Sequence, residues 1–264
     1  MKEYTHRQIQ EITTDILRNI IVIAKQENLT YFAMFGTLLG AIRHGGPIPW
    51  DYDVDLYVPE NEIEHFVDVL GKRLPDKYWV NYRNEGGVPQ KFPRVGLKGY
   101  ETELLHVDIF RMAAVPDDEI EEKKLWRHAR FWSKIWKAKV IDPDYYYNTA
   151  KRRIQAKLVK VFFAPFSLKK IVEKMDEACR VYSIGETKNV GNAFRVKMSR
   201  RYPTECFRGY TLMPYSDFQI RVPLHYEEIL RITYGDYMKF PPEQERQKLE
   251  EMKYVIREIN NGKR

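Results

Sequence analysis

The sequence predicts an α/β or α+β unit over roughly its first 110 residues, followed by a mainly helical part. Three observations carry this reading. Ile9, Ile12, Ile16, Ile20 and Ile23 recur at three or four, which is one face of an amphipathic helix. Segments of strand character then alternate with helical ones as far as Arg111. From about Asp118 the strand pattern gives way to charged, Trp-containing helical sequence.

The elements follow in order. A first helix runs from about His6 to Asn28, and "TYFAMFG" reads as a short buried strand ending at Gly36. "TLLGAIRH" is a short helix that Thr37 starts and Gly45 or Gly46 stops. Pro47 and Pro49 force "GGPIPW" to be extended or turned. "DYDVDLYV" alternates and predicts a strand over Asp51–Val58, and "PENEIEHFVDVLGKRL" predicts a helix with Pro59 and Glu60 in its first turn. "YWVNY", "FPRVGLK" and "LLHVDIF" read as strands. Beyond the boundary candidate "VPDDEIEEKK", helices are expected near 118–140, over "AKRRIQAKLVKVFF", and around "SLKKIVEKMDEACRVY". Short strands flank "GYTLMPYSDFQIRVP", and "LHYEEILRITYG" is a helix closed by Gly235. The expected division is 1–117 as the catalytic core and 118–264 as a mainly helical region completing the substrate sites.

Composition narrows the classes. A 264-residue chain with 44% hydrophobic and 31% charged residues is globular, and its net charge of +7 favours an anionic partner. Cys179 and Cys206 fit neither a disulfide framework nor a CxxC metal pattern, so they are expected to be buried, inert thiols. The N-terminal "MKEYTHRQIQ" is polar, and no apolar run approaches the roughly 20 residues of a membrane span. A cytoplasmic location is the expectation.

The chemistry concentrates between Gly36 and Asp55. If the strand expected at 51–58 forms, Asp51, Asp53 and Asp55 share one face, while Tyr52, Val54 and Leu56 fill the other. Three aspartates are poor strand formers and repel one another, so a compensating cation is expected. A hard divalent ion with oxygen ligands answers this, since Mg²⁺ commonly takes one or two carboxylates plus substrate phosphates. Asp108 in "LLHVDIF" joins the set if its strand is a neighbour. His106 shares that face as a packing or supporting residue rather than a base. Gly36 and Thr37 open a helix, where backbone approach and free N–H groups suit a phosphate.

The stretch "GTLLGAIRHGGPIPWDYDVD" resembles the signature of the LicD family, in the nucleotidyltransferase superfamily, at every specified position. "HVDIF" resembles that family's third-acid strand, and "YGDYMKFPPEQER" its closing segment. Bacterial members often carry Asp where Tyr52 stands, a departure that strand alternation would place on the off-site face. The resemblance implies an α+β fold: a nucleotidyltransferase-like mixed sheet flanked by helices, with a mainly helical C-terminal part. It also implies transfer of a phospho-alcohol from a CDP-activated donor to a glycan hydroxyl, with release of CMP. Asp53, Asp55 and Asp108 would hold Mg²⁺ or Mn²⁺, and Asp51 would be a ligand or orient the acceptor. Gly36 and Thr37 would hold donor phosphate, and Arg43 would neutralise phosphate or reach the cytidine. Arg94 and Lys98 would add positive charge, while Trp50 and Tyr52 are the aromatics nearest the site in sequence.

CDP-choline is the expected donor, because the chain lacks the N-terminal anchor and added domain of the animal ribitol-phosphate enzymes; CDP-ribitol or a glycerol donor is the alternative. The acceptor would be a cell-surface glycan or teichoic acid precursor, carried on a lipid or free. Rival readings are a template-independent nucleotidyltransferase and a non-catalytic binding protein. Without a recognisable RNA-binding module, nucleic acid is not the expected partner. The basic helices raise a further expectation of peripheral contact with an anionic membrane at the inner face of the plasma membrane.

Overall fold

The structure is a computed structural model that describes residues 2–82, 90–101, 104–146, 148–192 and 201–258. In chain order its elements are β1 (Lys2–Thr5), α1 (His6–Gln26), β2 (Phe32–Ala33), α2 (Phe35–His44), β3 (Asp55–Pro59), α3 (Ile63–Arg73), β4 (Tyr78–Asn81), β5 (Arg94–Leu97), β6 (Tyr100–Glu101) and β7 (His106–Val115). There follow α4 (Glu119–Val140), α5 (Pro143–Tyr146), α6 (Ala150–Phe162), α7 (Leu168–Asp176) and β8 (Asn189–Gly191). The chain closes with β9 (Tyr202–Pro203), β10 (Tyr210–Tyr215), β11 (Phe218–Pro223), α8 (Tyr226–Tyr234), α9 (Glu243–Glu250) and β12 (Lys253–Glu258). Two compact units result. One comprises residues 1–80, 92–112 and 202–264, and the other 81–91 and 113–201.

The first unit is built on a mixed sheet in the order β2-β3-β7-β5-β4. β3 runs parallel to β7, while β2 and β5 are antiparallel to their neighbours β3 and β7. Thr5 and Gln8 form a capping box that starts α1. The expected isoleucine stripe then turns inward, with Ile9, Ile16 and Ile20 fully buried. Ile9 packs in a cluster with Tyr4, Leu105 and Ile256, and Leu38, Leu56, Phe66, Val107 and Ile109 are buried as well. Mixed sheet and flanking helices agree with the expected fold class.

Four local expectations need correction. The strand predicted over Asp51–Val58 starts only at Asp55 and runs to Pro59. The cause lies in α1: the Gln10 side-chain amide donates to the carbonyls of Ile48 (2.7 Å) and Asp51 (2.6 Å), and Thr13 donates to that of Tyr52 (3.4 Å). These peptide groups are captured by helix side chains instead of strand partners. The helix expected from Thr37 starts two residues earlier at Phe35, whose φ of 50° makes the turn. That left-handed conformation is costly for an aromatic residue. Edge contacts with Tyr57 (5.4 Å) and Phe110 (5.8 Å) hold the ring in place. Pro59 ends β3 instead of opening a helix, and a 3-10 turn Glu60–Glu62 precedes α3. Finally, β1 and β12 lie outside every predicted strand, yet they pair antiparallel from Lys2↔Ile256 to Thr5↔Lys253.

In the second unit, α4 and α7 bury Ala113, Met175 and Cys179 against Trp132 and Trp136. β8 pairs there with Ala113–Val115. Asp118 caps α4 through the N–H groups of Ile120 and Glu121. Cys179 and Cys206 are both buried free thiols, as expected. Among the described residues no helix is long and apolar enough to cross a membrane.

Candidate functional site

The site is assembled within the first unit, where three strands meet on one rung. The parallel register pairs Asp55 with Asp108, and the antiparallel register pairs Asp108 with Arg94. Residues paired in register project from the same face of a sheet, so two carboxylates and a guanidinium lie side by side. Arg94 Nε donates to Asp108 Oδ1 at 2.9 Å, and His106 Nε2 lies 3.0 Å from the same oxygen. His106 thus supports Asp108, as its place two residues earlier on the strand predicted.

Asp55 is fixed through its backbone. Its N–H donates to Thr37 Oγ1 at 2.8 Å, and its carbonyl accepts from the Met34 N–H at 3.1 Å. Thr37 is only 1% exposed and Asp55 6%. The Thr37 hydroxyl therefore positions the acid strand. On the other side, the Asp108 N–H donates to the Val54 carbonyl at 2.9 Å.

Asp51 and Asp53 lie on the loop before β3. The Asp53 N–H donates to Asp51 Oδ1 at 3.2 Å. A Cβ built on Gly36 would overlap the Asp51 carboxylate, so glycine is what lets this acid close over the start of α2. Burial raises the Asp51 carboxyl above the usual range, against hydrogen bonds from the backbone at Asp53 and Tyr52. Tyr215, from β10, is pushed up by burial and by the charges of Asp51 and Asp55, which places its phenol in the same field. Tyr52 does not occupy a far strand face. Its ring meets His6 (5.6 Å) and Tyr254 (5.5 Å), and its pKa is raised by burial and by Asp53.

The remaining expected residues separate. Arg43 donates to the Tyr237 carbonyl (3.0 Å) and lies over the rings of Phe240 (4.6 Å) and Trp50 (5.7 Å). Arg246 lies over the same two rings at 5.4 and 5.1 Å. The motif stretch and the closing segment "YGDYMKFPPEQER" therefore meet through a cation–aromatic cluster. Lys98 falls just past β5, is exposed, and gives its backbone N–H to the Lys77 carbonyl at 2.8 Å. Gln10, Tyr215, Phe240 and Arg246 escaped the sequence reading of the site. Of these, only Phe240 and Arg246 carried a signal, since both lie in the closing segment.

The donor set suits a hard divalent cation. Its members are carboxylate oxygens, two of them on one rung. Among the described residues no three His, Cys, Asp or Glu side chains already converge as a metal cage. That is compatible with an ion that takes one or two carboxylates and fills its shell with phosphate oxygens.

The mixed sheet thus sets acids on neighbouring strands beside the helix start at Gly36 and Thr37. Residues 28–156 match the family described as LicD/FKTN/FKRP, nucleotidyltransferase domain, and the chain carries a LicD-family domain. The lipopolysaccharide cholinephosphotransferase LicD of Haemophilus influenzae is 28% identical over 93% of this chain and 96% of that protein. The human ribitol 5-phosphate transferase FKRP is 31% identical over 112 residues, which are 41% of this chain and 21% of that protein. Among solved structures, ANT(2")-Ia in complex with adenylyl-2"-tobramycin matches 64% of this chain and 98% of its own at 16% identity, with a TM-score of 0.24.

Proposed function

We propose that this chain transfers phosphocholine from CDP-choline to a hydroxyl of a cell-surface glycan or teichoic acid precursor and releases CMP. The observation that carries the reading is the near end-to-end likeness to the H. influenzae cholinephosphotransferase, coupled to acids held in register at Asp55 and Asp108. Asp55 and Asp108 would hold Mg²⁺ or Mn²⁺, which supplies charge neutralisation on the diphosphate, with Asp53 on the loop before β3 as the further candidate ligand. Arg94, which donates to Asp108, would share its charge with a phosphate. A donor phosphate would bind at the start of α2 by displacing the Asp51 carboxylate that rests against Gly36. Trp50 and Phe240, with Arg43 and Arg246 stacked on them, offer planar groups suited to cytidine.

In the transfer, the acceptor oxygen bonds to the phosphorus that bears choline. The bond from that phosphorus to the bridging oxygen breaks, and CMP leaves with that oxygen. Asp51 orients the acceptor hydroxyl and takes its proton, a role that suits a carboxyl raised by burial. Ribitol-phosphate transfer is the second reading, favoured by the FKRP match over 112 residues, 41% of this chain.

Thermal shifts in Mg²⁺ with CDP-choline, CDP-ribitol and CDP-glycerol identify the donor, since a ligand of the native state raises apparent stability. Mass spectrometry then follows incubation with CDP-choline and lipopolysaccharide or teichoic acid. A phosphocholine mass increment with equimolar CMP is expected. A nucleotide added to the acceptor would overturn the reaction.

A further inference from the structure

We propose that the outward face of α6, in the second unit, is a docking surface for an anionic lipid bilayer. An amphipathic helix of a globular unit ordinarily turns its apolar stripe inward. In α6 the stripe turns outward: Ile154 is 58% exposed, Leu158 63%, Val161 74% and Phe162 76%. Positions i, i+4, i+7 and i+8 fall on one side of a helix. The opposite side packs through Ala156, the only residue of α6 that is fully buried.

Charge selects the occupant. α6 carries Lys151, Arg152, Arg153, Lys157 and Lys160 and no acidic residue. Lys157 is held by Asp144 at 2.8 Å, and Arg153 acts on the same carboxylate. Lys151, one turn before Ile154 on the same side, is exposed at the start of the stripe, and Arg152 is exposed at the same end of the helix. Exposed apolar side chains edged by cations suit a helix lying in a lipid interface, where the cations meet anionic headgroups and the apolar groups reach the acyl boundary. A second copy laid stripe to stripe would bring two basic helices together with no acid in either. A nucleic acid would leave the apolar stripe unused. The helix lies on the bilayer and does not cross it, because 13 residues span roughly 20 Å against a hydrocarbon core of about 30 Å. The proposal stands independently of the transferase reading.

The test is co-sedimentation of the full chain at low salt with vesicles of phosphatidylcholine alone or mixed with phosphatidylglycerol. The wild type is expected to pellet with the mixed vesicles only, and to release as salt rises. Lys151→Gln with Arg152→Gln should weaken binding about five-fold per charge. Leu158→Ser with Phe162→Ser should weaken it at least ten-fold. All four side chains are exposed, so unchanged thermal melts are expected for both variants. Wild-type protein that ignores the mixed vesicles would overturn the proposal. So would equal binding to both vesicle types, variants that bind like wild type, or a solution dimer that Leu158→Ser with Phe162→Ser converts to monomer.

Discussion

Asp55 and Asp108 stand directly opposite each other in the parallel pairing of β3 with β7, and Arg94 faces Asp108 from the other side. The pairing gives the two acids different consequences when neutralised. Asp108→Asn removes the charge facing the Arg94 guanidinium, whose side chain is 17% exposed, and leaves a neutral carboxamide in its place. It should cost about 1–3 kcal/mol of stability. Urea unfolding checks this, and Arg94→Gln in the same background should recover part of the loss. Both Asp55→Asn and Asp108→Asn should lower transfer by about 100-fold or more, as expected for groups that organise charge around the diphosphate. Normal turnover by either would remove that acid from the site.

Thr37 supplies a second prediction. Its hydroxyl accepts the Asp55 N–H in a fully buried setting. Thr37→Val keeps the shape and removes the acceptor, so a buried donor loses its partner at a cost of about 1–3 kcal/mol. Thr37→Ser keeps the oxygen and should lose less. Denaturant midpoints decide it. Equal midpoints for the Val and Ser variants would show that the hydroxyl does not hold the strand.

Much of this arrangement was legible in the sequence. The isoleucine period marked α1, and the alternating segments marked the strands around Asp108. The aspartates at every second position suggested a strand over the whole stretch, although the strand begins only at Asp55. Strand alternation assumes that the backbone finds strand partners, and at Ile48, Asp51 and Tyr52 it finds Gln10 and Thr13 instead. Side-chain capture across about 40 residues leaves no periodic trace. The β1–β12 pair was missed for a related reason: its partners are far apart in sequence, and neither KEYT nor KYVIRE alternates by itself. The outward stripe of α6 was visible as periodicity, but periodicity does not say which way a stripe turns.

Asp15 sets a pH dependence away from the site. Burial would raise its pKa, but hydrogen bonds from Tyr78 and Lys77 and the charges of Lys77 and Arg18 outweigh this and lower it below 3.8. A depressed carboxylate pKa contributes stability that is complete above the unfolded value and is lost as pH falls through the folded one. Asp15 is partly exposed, so the contribution is about 0.2–1 kcal/mol. Asp15→Asn should therefore lower the melting temperature at neutral pH and converge with wild type only as pH falls from 3.8 through the lowered pKa. A difference that persists unchanged in acid would assign the effect to packing instead of charge.

Gly36 and Asp51 give a prediction of sign. In an ordinary helix position, Gly→Ala stabilises by roughly 0.5–1 kcal/mol, because alanine loses less backbone entropy on folding. At Gly36 the added methyl would overlap the Asp51 carboxylate, whose loop is tied to α1 through Gln10. Either the carboxylate or the loop must move, and overpacking of this kind costs about 1–3 kcal/mol. Gly36→Ala should therefore destabilise. Asp51→Ala removes the obstacle, so adding Gly36→Ala in that background should be neutral or stabilising. The double-mutant cycle should show a coupling of about 1 kcal/mol or more between the two positions. Additive effects, or a stabilising Gly36→Ala in the wild-type background, would mean that Asp51 does not rest against Gly36 and that the glycine is there for another reason.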